Sequence, residues 1–242
     1  MFSSHSSVGP TLPTLTFSRR RSAPRHFAEQ TTADHGAFSL NHISAADAHR
    51  GKPIATAPLP SSAFKAPAIL LSGPVDDAMY RDFRRQLDQA SERELVVVEL
   101  STLGGDPDVA RMMGEDIRFH AGLTPERRFV FLGKAVIYSA GTTVMSFFAR
   151  RDRYLTRNTR VMIHERKLSK DLSLNGPLTT CIATVKAALN EIECSIEMQN
   201  EGFAALVRGS SVTMEEVLRR APSNWYIGAE EAKMLGLIEG VI

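Results

Sequence analysis

Glu94-Leu-Val-Val-Val-Glu-Leu100, running directly into Ser101-Thr-Leu-Gly-Gly105, is the stretch on which the reading of this chain turns. The β-branched run reads as a strand buried on both faces, and the paired glycines close it with a turn. The flanking segments alternate in the same way. Upstream, Ala68-Ile-Leu-Leu71 is a short apolar run closed by Ser72-Gly-Pro, and Asp76 to Ala90 carries Met79, Phe83 and Leu87 at helical spacing. Downstream, Val109 to His120 reads as a helix, Arg128-Phe-Val-Phe-Leu132 as a strand and Arg160-Val-Met-Ile-His164 as another. Strands alternating with helices of this length predict an α/β fold with a largely parallel sheet.

Further along, Leu178, Ile182, Val185, Leu189, Ile192 and Ile196 recur at alternating spacings of four and three within a helix expected from about Pro177 to Val207. This heptad seam must be buried against another helix, of the same chain or of a partner. Thr213-Met-Glu-Glu216 has the form of a capping box opening a short helix. A last helix is expected over 229–235, stopped by Gly236, with a strand over 237–242.

The composition sets the outer bounds. Across 242 residues the hydrophobic fraction is 43%, enough for a sizeable core. A net charge of +2 argues against a nucleic-acid binder, and no apolar run is long enough to cross a membrane as a helix. Two cysteines, Cys181 and Cys194, exclude a disulfide scaffold and multi-cysteine zinc modules. Residues 1–65, rich in Ser, Pro, Arg and His, are expected to be a disordered extension, with the domain proper over 66–242. The irregular spacing of His5, His26, His35, His42 and His49 does not suggest a metal site. The composition fits a cytoplasmic protein. The alternative is an organellar one, because residues 1–28 hold four arginines and no acid, as transit peptides do.

Three features carry chemistry. Gly104-Gly105 follows a buried strand, where glycines let a ligand approach the backbone and leave N–H groups free. Ser139, in Tyr138-Ser-Ala-Gly141, stands at the start of a helix, where it fits either an N-cap or a group beside stabilised negative charge. His164 ends its strand, where catalytic groups gather in open α/β sheets. Within the domain only His120 and His164 could serve as an imidazole base, and His120 sits near a helix end. There is no phosphate loop and no dinucleotide fingerprint.

Ser139 and His164, with Arg153-Tyr-Leu, Asn158-Thr-Arg-Val-Met-Ile-His164, Leu71-Ser-Gly-Pro-Val-Asp76 and the ending Tyr226-Ile-Gly-Ala-Glu-Glu-Ala-Lys-Met-Leu-Gly-Leu-Ile238, resemble the proteolytic subunit of the Clp protease over residues 68–242. The resemblance implies a ClpP/crotonase-type fold of stacked β-α units with a long projecting helix. It implies Ser139 as nucleophile, His164 as base, and an oxyanion hole from the N–H groups of Gly105 and Ala140, with Gly104 beside them. It implies stacked rings fed with peptide by a hexameric ATP-dependent unfoldase, so that ATP binds the partner and this chain needs no cofactor or metal.

The departures are specific. Asn224 stands at the position of the triad acid, a change that costs about 10⁴ in kcat in a serine protease. Glu165 or Asp171 would have to substitute for it to restore the charge. Ser223 and Trp225 replace charged neighbours, Leu103 replaces a proline of the glycine turn, and the segment between His164 and Asn224 is longer than in the family. Two alternatives follow: a structural paralogue in a mixed ring, and a crotonase-like acyl-CoA enzyme.

Overall fold

The computed structural model describes residues 59–242; the expected extension, its histidines and the transit-like leader lie mostly or wholly outside them. A largely parallel sheet runs β1 (Ile69–Ser72), β2 (Leu95–Thr102), β3 (Arg128–Tyr138), β4 (Arg153–Leu155) and β7 (Gly240–Val241). A branch leaves it at β3, which also pairs in parallel with β5 (Arg160–Ile163); β5 pairs antiparallel with β6 (Trp225–Gly228). As expected, β2 is central and buried on both faces, its Val96, Val97 and Val98 almost without exposure. Each such side chain contributes roughly 1.5–3 kcal/mol on burial.

The helices form where the sequence signals place them. In α1 (Asp77–Gln89), Met79, Phe83 and Leu87 are the buried stripe, and the Asp76 carboxylate caps the helix by accepting from the Met79 N–H at 2.9 Å. In α2 (Pro107–Leu123) the Asp106 carboxylate caps and Pro107 fills the first position. This helix runs through Gly122, further than its apolar pattern suggested, because Thr124 provides the C-cap. The Thr213 hydroxyl accepts from the Glu216 N–H at the start of α5 (Met214–Arg220), as the capping signature requires.

Four elements differ from expectation. The β3 strand is eleven residues long, not five: after Gly133 it bends at Ala135, which has a positive φ of 56°. The first half of β3 therefore lies beside β4 and the second half beside β5. The short strands β4 and β6 carry no pattern of their own and exist because a neighbour offers hydrogen bonds. At the C-terminus only Gly240–Val241 pairs as a strand. Leu237 and Ile238, after α6 (Ala229–Met234) and the left-handed turn at Gly236, plug the core instead.

The long α4 (Leu178–Val207) buries little along its first two-thirds, only Ala188, and then Phe203, Leu206 and Val207 at its end. The heptad seam is exposed throughout, from 41% at Ile192 to 81% at Leu178. Within one chain, then, the seam does not cover the sheet.

The end of α4 is fastened by one side chain. The Arg153 guanidinium, fully buried, donates to the carbonyls of Ser146 and Phe148 at the end of α3 (Ala140–Ser146), Ala205 and Leu206 at the end of α4, and Leu237. Burial, with Arg150 and Arg208 nearby, pushes its pKa down to about 10, so it is protonated at neutral pH. Arg153→Leu strands these carbonyls and is expected to cost about 3 kcal/mol or more. That corresponds to a fall of roughly 6–12 °C in the melting temperature by calorimetry. Arg153→Lys should recover part of it, because an ammonium has fewer donors than a guanidinium.

Candidate active site

The site is built where two parallel strands end side by side. Tyr138, the last residue of β3, pairs with Met162 of β5, so Ser139 and His164 emerge at the same edge of the sheet. Ser139 has φ 54° and ψ −117°, a conformation that costs a non-glycine residue roughly 1–3 kcal/mol. Its surroundings hold it there. The Ser139 N–H donates to the Met162 carbonyl at 3.0 Å, and the Ser139 carbonyl accepts from the Thr142 N–H at 2.8 Å and the Thr142 hydroxyl at 2.7 Å. The side chain makes no capping hydrogen bond, which decides against the N-cap reading left open by the sequence.

The glycine turn packs directly on this serine. A Cβ at Gly104 would stand 2.7 Å from the Ser139 Cβ, and a Cβ at Gly105 would stand 2.3 Å from the Val75 carbonyl oxygen. Both glycines have positive φ, 112° and 151°. Thr102 organises the turn through its hydroxyl, which accepts from the Gly104 N–H at 2.9 Å, while the Asp106 N–H donates to Val75 at 2.8 Å. The intervening Gly105 N–H takes part in neither bond. Ala140 is the first residue of α3, where backbone N–H groups have no partner within the helix.

One open cavity of about 220 Å³ is lined by Gly105, Ser139, Ala140 and His164 together. Gly104 lies behind it against Ser139. His164 is half-buried; its buried Nδ1 has no side-chain hydrogen-bond partner among the described residues, and the Glu165 backbone is the hydrogen-bonding group beside the imidazole. Burial pushes this imidazole below its ordinary value and the Lys167 ammonium pushes it further down, while Glu165 acts in the opposite direction.

Asn224 falls opposite His164 one step beyond the Ile163–Trp225 pair of the β5–β6 ladder. It has a left-handed φ of 57°, is exposed, does not line the cavity and makes no side-chain hydrogen bond to the imidazole. Of the substitute acids, Glu165 lines the cavity and Asp171 does not. Trp225 is buried beneath the Arg220 guanidinium at 4.5 Å, and Leu103 is largely exposed at the tip of the turn.

The structure also brings in residues that strand and helix patterns did not single out. Arg111 of α2, Arg166 and Lys167 after β5, and Met198 and Gln199 of α4 all line the same cavity. Arg166 and Lys167 follow His164 directly, a signal the sequence offered; Arg111 and the α4 pair arrive only through tertiary packing.

A strained serine and a histidine thus stand at the ends of neighbouring parallel strands and share one cavity with the Gly105 and Ala140 backbone. The sequence model of the Clp protease family matches residues 55–242, and the chain belongs to that family. It is thus a Clp-type peptidase. A similar curated protein is the ATP-dependent Clp protease proteolytic subunit 2 of Pseudomonas aeruginosa, 24% identical over 182 residues that cover 74% of this chain and 83% of the relative. The family match favours the peptidase reading over the acyl-CoA alternative.

In an imidazole titration by NMR, His164 should titrate below the ordinary value of about 6.5, and Lys167→Gln should move its midpoint upward. An unchanged midpoint in the variant would remove Lys167 from the electrostatics of the site.

Proposed function

We propose that this chain is a serine-type endopeptidase subunit that hydrolyses peptide bonds of unfolded proteins or short peptides through an acyl-enzyme on Ser139. The observation that carries this reading is the strained, uncapped Ser139 sharing one cavity with His164. His164 takes the Oγ proton as Oγ attacks the carbonyl carbon; the N–H groups of Gly105 and Ala140 donate to the oxyanion. The C–N bond then breaks as His164 returns the proton to the leaving amine, and water hydrolyses the ester by the same route. A depressed His164 pKa keeps the base neutral at physiological pH.

In this reading Asn224, the register neighbour of His164 across the β5–β6 ladder, would swing in to hold Nδ1 through its side-chain carbonyl oxygen, because such contacts tighten when substrate binds. It supplies no negative charge, so turnover is slow compared with an aspartate enzyme, by as much as about 10⁴. That Asn224 is exposed and makes no hydrogen bond to the imidazole favours the second reading, a structural subunit in a mixed ring.

Intact mass after treatment with a fluorophosphonate separates the two. The first reading expects one adduct on the wild type and none on Ser139→Ala. No adduct on either leaves the structural reading.

The exposed α4 seam supports assembly of copies, or of this chain with a paralogue, into rings that stack through this helix. ATP would then act through a partner unfoldase. Leu189→Glu with Ile192→Glu is expected to reduce the particle mass in light scattering while shifting monomer stability by only about 0.5 kcal/mol. An unchanged particle mass would place the ring contact elsewhere.

A further inference from the structure

The charged groups around the cavity are arranged asymmetrically. Arg111 reaches it from α2 and Arg166 from the loop after β5, and both guanidinium groups converge on Met198 of α4. Arg111 Nη1 donates to the Met198 carbonyl at 3.4 Å, and Arg166 Nη1 stands 3.9 Å from the Met198 sulfur. The Arg166 backbone N–H is fixed in turn by Gln199 Oε1 at 2.7 Å. Each guanidinium has one carboxylate partner, Glu201 for Arg111 at 3.1 Å and Asp108 for Arg166 at 2.7 Å.

Partners and cations differ in burial. The two arginine side chains are 26% and 20% exposed, whereas Glu201 and Asp108 are 65% and 62% exposed and line the cavity in neither case. Exposed carboxylates of this kind are well hydrated, and their pairing contributes little. Among the described residues, the cavity face thus presents Arg111, Arg166 and Lys167, the last without an ion pair, against a single acid, Glu165, which is exposed. Of the acids in the adjoining groove, Asp106 caps α2 and Glu191 pairs with Lys170, while the exposed Asp108 remains the one that an incoming carboxylate must displace from Arg166. Beyond the cations the wall is apolar, formed by Ala140, Phe203 and Leu206.

Resting on the peptidase reading above, we infer that this cavity selects peptides carrying an acidic side chain next to the bond to be cut, with Arg111 and Arg166 as the clamp and Lys167 at the rim. A carboxylate entering between the two guanidinium groups meets fixed fork-shaped donors in a partly dehydrated setting, and its apolar stem lies on Phe203 and Leu206. A lysine or arginine side chain in the same place would meet like charges, with Glu165 the one acid among the described residues that lines the cavity.

The test uses binding, so that it does not depend on turnover. Three fluorescent peptides that differ only by Glu, Gln or Lys beside the intended scissile bond are titrated onto the full-length Ser139→Ala protein. The Glu peptide is expected to bind about tenfold or more tightly than the Lys peptide, the size of a hydrogen bond to a charged group. The preference should shrink in Arg111→Gln and in Arg166→Gln, weaken with added salt, and persist in Arg85→Gln, a cation removed from the remote helix α1. Equal binding of the three peptides, a preference for Lys, no binding at all, or a preference that both clamp variants keep would each overturn the inference. The three-peptide comparison needs no clamp variant, so a misfolded one leaves it decisive. Selective binding without hydrolysis by the wild type would count against the peptidase mechanism while leaving the acidic preference standing.

Discussion

The buried guanidinium of Arg153 fastens together the parts of the molecule that the site needs to hold still. Its donors reach the last carbonyls of α3 and of α4, the orphan acceptors that every helix end leaves behind. At the other end of α3 stands Ser139, and the last turns of α4 supply Phe203 and Leu206 to the wall of the cavity. This side chain therefore ties the helix that Ser139 opens to the end of α4 that lines the cavity. Burying it is unfavourable, as its lowered pKa records, and it is tolerated because every donor finds a carbonyl.

With that frame rigid, strain can be kept at Ser139. Hydrogen bonds from β5 and from Thr142 hold a backbone conformation that the serine would not adopt alone, and the Gly104–Gly105 turn leaves no room for relaxation towards β2. His164 sits under opposite constraints. It is packed enough to lose hydration and feels the Lys167 ammonium more than the Glu165 carboxylate. Both features favour a neutral imidazole over an imidazolium. Asn224, across the β5–β6 register from His164, brings no negative charge to offset this balance.

Much of the frame was legible in the order of residues. The Glu94 to Leu100 run could only be an interior strand, and the α1 stripe and the caps at Asp76, Asp106 and Thr213 are local features whose physics lies within a few residues. The short strands β4 and β6 were not legible, because neither has a pattern independent of its neighbour. The bend at Ala135 was also hidden, since nothing in its side chain requires a positive φ. The seam of α4 was visible as a heptad, but its exposure was not; periodicity states that a face is apolar without stating what covers it.

By itself the sequence determined the alternation of strands and helices, the glycine turn, and the candidacy of Ser139 and His164, because these depend on local propensity and on residue chemistry. Only the tertiary structure decided that Ser139 is strained and uncapped, that Asn224 stands outside the cavity, and that Arg111 and Arg166 meet at Met198. The reason is physical. Side chains remote in sequence meet only when the parallel sheet aligns the strand ends and α4 is docked, and an interaction energy does not exist before its partners are in contact.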